Sequence, residues 1–145
     1  MKAYRFRLEG VLRVREVREQ LAAHALAGAT RQLSQAESAL ASSRRALAGL
    51  EPPSGQVTVG DVEWIRDQAE RMAEELYARA EDVDTATKQV GEARIAWQSA
   101  RTQCAVLERL DARQRAAWEE DVARAEAKEI DDLAALRYAR GGSAR

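Results

Sequence analysis

The chain is short of nearly everything that catalysis or a thick core would draw on. With one cysteine, Cys104, and one histidine, His24, it has no internal disulfide and no cluster of soft metal ligands. Two prolines and eight glycines in 145 residues leave few places to turn, and both prolines, Pro52 and Pro53, stand side by side. Aromatic residues make up 5% against 46% hydrophobic overall, alanine is the largest single share of the apolar content, and no thick layered core is expected. No apolar run approaches the roughly 18 residues of a spanning helix, and no charged-then-apolar leader ends in a cleavage site. A soluble, cytosolic protein that is not membrane-inserted is expected. Neither sign of charge prevails, since 23 Lys and Arg meet 24 Asp and Glu for a formal −1, so net charge gives no reason to expect nucleic acid.

What remains is helix, and it is periodic. Alternate steps of four and three from Leu8 to Leu50 land on Leu8, Leu12, Arg15, Glu19, Ala22, Leu26, Ala29, Leu33, Ala36, Leu40, Ser43, Leu47 and Leu50. That is a heptad seam, with leucine at one core position and alanine at the other, so a partner helix can approach closely. Register before Ala22 has two solutions, because a shifted stripe runs through Val11, Val14, Val17 and Leu21. The opening residues, with Tyr4, Phe6 and Leu8 alternating with basic ones, read either as a frayed turn or as an extended lead-in. The string EPPSGQVTVG then opposes helix. Thr58 and Asp61 have capping-box spacing, so a second helix begins near Gly60.

In that helix the same step gives Val62, Ile65, Ala69, Met72, Leu76, Arg79, Val83, Ala86, Val90, Ala93, Trp97, Ala100, Cys104 and Leu107. It then fails at Asp111 and Gln114. A looser set, Trp118, Val122, Ile130, Leu133 and Leu136, continues to Arg140, and Gly141, Gly142 and Ser143 end it. A connection of about ten residues forces antiparallel neighbours. The expected fold is therefore all-α: one domain over residues 1–145, a long antiparallel two-helix coiled-coil hairpin with helices at about 5–50 and 61–140 and a loop at 51–60. Its core would hold Leu26, Leu33, Leu40, Leu47, Val83, Val90, Trp97 and Cys104. Pairing Leu50 with Val62 sets Leu8 near Cys104 and leaves an overhanging C-terminal helix with no internal partner.

Local charge is uneven. Residues 1–20 carry Lys2, Arg5, Arg7, Arg13, Arg15 and Arg18 against three glutamates, and the antiparallel arrangement brings Arg94, Arg101, Arg109, Arg113 and Arg115 opposite them. Residues 61–92 carry ten acidic and four basic groups, and 119–132 carry seven and two. Much of this is solvated helix face with pairs such as Glu75–Arg79 and Glu120–Arg124. Two basic segments at one end nonetheless suit an acidic protein surface.

No catalytic constellation can be assembled, and no phosphate loop, metal set or nucleophile elbow is present. A cofactor or small-molecule substrate is not expected. Of the large aromatics, Trp97 falls on the seam, while Trp64, Trp118 and Tyr77 lie off it or beyond it, where an anchor for another protein is an option.

The two ends carry the most specific signal. YRFRLEGVLRVREVREQ (Tyr4 to Gln20) and EAKEIDDLAALR (Glu126 to Arg137) resemble the end motifs of the FliJ family, soluble proteins of the flagellar type III export apparatus. The resemblance implies a non-enzymatic stalk that binds a hexameric export ATPase at its open end, promotes its assembly and activity, and contacts the cytoplasmic domain of the export gate protein, with possible escort of export chaperones. It places the protein in the cytoplasm at the flagellar base. Carried over by position, ring contact falls on Phe6, Leu8, Leu12, Arg13 and Arg15, joined by Arg18, Arg113, Arg115 and Trp118 at the same end. The terminal motif falls on Glu126, Lys128, Ile130, Asp131, Asp132 and Leu133. Gate contact is nominated for Met72, Leu76 and Tyr77 from location and bulk. Two other classes compete: an escort that holds cargo on the apolar face of its C-terminal helix, and a structural coiled-coil dimer.

Overall fold

In the computed structural model residues 3–52 and 54–141 are described; Met1, Lys2, Pro53, Gly142, Ser143, Ala144 and Arg145 lie outside them. The described residues form two long helices and no strand: α1, Glu9–Ala48, and α2, Val59–Gly141. The chain divides into two compact units, one of residues 1–17 with 101–145 and one of residues 18–100.

Within the second unit, α1 and α2 run as antiparallel neighbours, with Ser43 Oγ donating to Glu75 Oε1 at 3.3 Å. Every seam position from Glu19 to Leu50 is half-buried, and so is every one from Ile65 to Ala100 except Ala86, which is buried at 7% exposure. The four-three stripe also holds in the first unit, where Leu8, Leu12 and Arg15 are half-buried while Val11, Val14 and Val17 face solvent. The shifted stripe is therefore not the packed one, and Leu21 at 64% exposure agrees. Arg79 interrupts the seam without an orphan charge, because Glu75 and Asp82 hold its guanidinium at 3.6 and 3.7 Å. Among the exposed pairs, Arg124 meets Asp121 at 2.6 Å, and its contact with Glu120 is to the backbone oxygen.

The helix pairing is offset from the sequence expectation. Pairing Leu50 with Val62 would set Ser43 beside Ala69 and Arg15 beside Trp97. Ser43 instead meets Glu75 and Arg15 donates to Gln103, each six residues farther along α2. The connection explains the difference. Leu50 is half-buried and Val62 is 57% exposed, so the first turns of α2 extend beyond the end of α1. Ten extended residues reach about 33 Å, well over the roughly 15 Å that the extra helical turns require. Among the described loop residues, Gly55, at φ 125°, supplies the one backbone conformation that a side chain would strain.

Thr58 caps α2. Its backbone N–H and its hydroxyl donate to Asp61 Oδ2 at 2.8 and 2.7 Å, and Asp61 N–H approaches Thr58 Oγ1 at 3.3 Å. Hydrogen bonds from the Thr58 hydroxyl and then its N–H hold the Asp61 carboxyl below its ordinary value of 3.8.

Candidate functional site

The first unit is built around a short arm. Residues 3–8 precede α1 rather than forming its first turn: 3–6 have no regular structure, 7–8 form a turn, and the helix starts at Glu9. Only Glu9 N–H to the Phe6 oxygen (3.3 Å) and Leu12 N–H to the Leu8 oxygen (2.9 Å) tie the arm to the helix by backbone. Side chains do the rest. The Tyr4 hydroxyl donates to Asp111 Oδ1 at 2.6 Å, with the Asp111 carbonyl oxygen also within reach at 3.1 Å. The Tyr4 ring lies 5.9 Å from Trp118 at 48°, and the Arg115 guanidinium sits 5.2 Å from its centroid. Phe6 is buried at 6% exposure.

This arrangement corrects two expectations. α2 does have an internal partner beyond Leu107, since the arm covers it as far as Trp118, and Trp118 is half-buried against Tyr4 rather than unpartnered. Asp111 occupies a core position because a tyrosine hydroxyl from 107 residues away reaches it. Partial desolvation first, then the hydrogen bond to Asp111 and its negative charge, push the Tyr4 hydroxyl up to about 12, with Arg115 acting the other way. Past the arm, every described residue from Ala123 to Gly141 is exposed.

Charge follows the same division. Residues 3–17 and 101–118 together hold eight arginines against four carboxylates. Arg13 pairs with Glu9 and Arg101 with Glu108, both at 3.3 Å. Arg5, Arg7, Arg109 and Arg113 are exposed with no ion pair among the described residues. Arg18 opens the other unit and is exposed. A concentration of solvated guanidinium groups beside an aromatic cluster has the make-up of a protein-docking surface.

The remaining nominated residues are dispersed. Met72 and Leu76 are half-buried, whereas Tyr77 is 78% exposed and flanks an open groove with Leu40, Arg44 and Ala80. Glu126, Lys128, Ile130, Asp131, Asp132 and Leu133 all face solvent. Leu26, Leu33, Leu40, Leu47, Val83, Val90 and Trp97 are half-buried, and Cys104 is fully buried with its thiol 3.8 Å from Glu108 Oε1. Tyr4 and Asp111 were not singled out by sequence reasoning. Their signal was present all the same: an aromatic four residues before the seam begins, and an acid at a seam position where apolar side chains are the rule.

No group of three or more His, Cys, Asp or Glu side chains among the described residues is arranged to hold a metal ion. No helix among them is long and apolar enough to cross a membrane. No curated protein and no solved structure matches the chain significantly. A family profile described as "Flagellar FliJ protein" does match, over residues 4–143, taking in the arm, both helices and the connection between them. With nearly its whole length matched, the chain belongs to the FliJ family, non-catalytic components of the flagellar export apparatus.

Proposed function

We propose that this protein is a stalk and adaptor whose arginine-rich end docks on the hexameric export ATPase, promotes its assembly and activity, and couples it to the cytoplasmic domain of the export gate protein. It works in the cytoplasm, at the periphery of the flagellar base. The observation that carries this reading is the set of exposed arginines without ion pairs, Arg5, Arg7, Arg109 and Arg113, in the unit that also holds the Tyr4–Trp118 cluster. Arg13, Arg15 and Arg115 are engaged within that unit, with Glu9, Gln103 and the Tyr4 ring respectively. Phe6, Leu8 and Leu12 support the arm, and Trp118 borders it. The mechanism is differential binding: an asymmetric ligand that fits one ring state better than the others shifts their populations. Titrating the cognate ATPase with this protein tests the reading. Stimulated hydrolysis is expected, and no stimulation across a wide concentration range removes it.

One observation favours a second reading, an escort for export chaperones or their cargo. Ile130, Leu133 and Leu136 are 57–65% exposed on the uncovered part of α2, an apolar face of the kind that a partner helix takes. Replacing Ile130 and Leu133 by Asp in the full chain separates the two. The escort loses cargo capture with ATPase stimulation intact, and the stalk shows no cargo capture in either form. The gate contact, for which Tyr77 beside Met72 and Leu76 is the proposed point, is tested by Tyr77→Ala in a gate-domain binding assay.

A further inference from the structure

The arm is held on α2 almost wholly through side chains, as a bound peptide is held by a receptor. We propose that the face of α2 formed by Asp111, Arg115 and Trp118 is a binding site for an extended segment of the pattern tyrosine–basic–aromatic, filled in cis by residues 3–8 of the same chain.

The geometry supplies both the site and the template for its ligand. Tyr4 presents a hydroxyl donor to Asp111 Oδ1 at 2.6 Å, while its ring meets the Trp118 ring at 5.9 Å and the Arg115 guanidinium at 5.2 Å. Three side chains of one helix thus read one aromatic residue: an acceptor for its hydroxyl, a ring for its edge and a cation for its face. Two residues on, Phe6 is buried at 6% exposure, and the intervening Arg5 stays in solvent, which is the alternation of an extended segment. Asp111 adds an independent argument. An acid at the seam position after Leu107 ends the apolar stripe, so it is explained by what it accepts from and not by helix pairing. The backbone contributes only two hydrogen bonds where the arm joins α1, at Glu9 and Leu12, so the arm can leave without unravelling the helix.

A tethered segment competes for its own site at an effective concentration of the order of millimolar. A segment of the same tyrosine–basic–aromatic pattern supplied in trans therefore gains access only when the cis arm is outcompeted or weakened. This site stands apart from the ATPase reading, and its test needs no ATPase.

A labelled peptide of residues 3–10, AYRFRLEG, is titrated by fluorescence anisotropy against the full-length protein, against Tyr4→Ala and against Tyr4→Phe, with helicity checked by circular dichroism. Binding to Tyr4→Ala at least tenfold tighter than to the unsubstituted chain is expected, with Tyr4→Phe between them. A peptide carrying Phe in place of Tyr should bind Tyr4→Ala at least fivefold more weakly. Adding Asp111→Ala to Tyr4→Ala should abolish the gain. Equal binding to all variants, or binding to none of them, overturns the proposal. If Tyr4→Ala loses helicity, Tyr4→Phe decides alone, and a gain under twofold over the unsubstituted chain counts against the site.

Discussion

Tyr4 and Asp111 have the clearest chemical signature of any residues in the chain. The hydroxyl is pushed up to about 12 because partial burial disfavours the charged phenolate and the neutral form donates to a carboxylate. A folded-state value raised above the ordinary 10.0 means that the contribution is fully present below pH 10.0 and is lost as pH rises from there through about 12. In a spectrophotometric titration one of the three tyrosines should therefore ionise only near pH 12, and Asp111→Asn should return it toward 10.0. Three tyrosines titrating together in the unsubstituted protein would contradict the latch. Asp61 has the opposite sign. Its depressed value gives stability that is present above pH 3.8 and is lost as pH falls below it. Thr58→Ala removes the cap and should cost about 1 kcal/mol in denaturant unfolding.

Among the elements, α1 was the most legible in sequence. The four-three step found its packed stripe because burial of leucine on one side of a helix leaves a period that needs no knowledge of the partner. The cap of α2 was legible for a similar reason, since Thr58 and Asp61 are three residues apart. What was not legible depends on contacts distant in sequence. The offset between the helices is read from which side chains meet across them, Ser43 with Glu75 and Arg15 with Gln103, which a count of loop residues does not give. The role of Asp111 is set by Tyr4, which reaches it from 107 residues away. Of the candidate site, the basic character was readable and the aromatic latch was not. The seam itself makes a prediction: Ala86, buried beside Ala36 and Ala39, sets how closely α1 and α2 approach. Ala86→Leu should destabilise the protein by about 1–3 kcal/mol. Leu21→Ala, on a side chain 64% exposed, should stay within about 0.5 kcal/mol in the same assay.

For the whole molecule, a formal charge of −1 conceals a chain whose residues 3–17 and 101–118 are strongly basic and whose residues 61–92 and 119–132 are acidic. Family membership gives this unevenness a context, the flagellar export apparatus, and the exposed arginines give it a direction. Attraction between solvated charges falls over a Debye length of about 8 Å at physiological ionic strength, so the proposed docking by this surface should be salt-sensitive. The most direct measurement is the affinity of the full-length protein for the cognate export ATPase at two salt concentrations. It is compared with that of a triple variant, Arg5→Glu, Arg7→Glu and Arg113→Glu, and of a control reversing Glu63, Glu70 and Glu81 to Lys. Loss of at least tenfold in affinity and of most of the salt dependence is expected for the arginine variant alone. Unchanged affinity in that variant, or an equal loss in the control, would contradict the account.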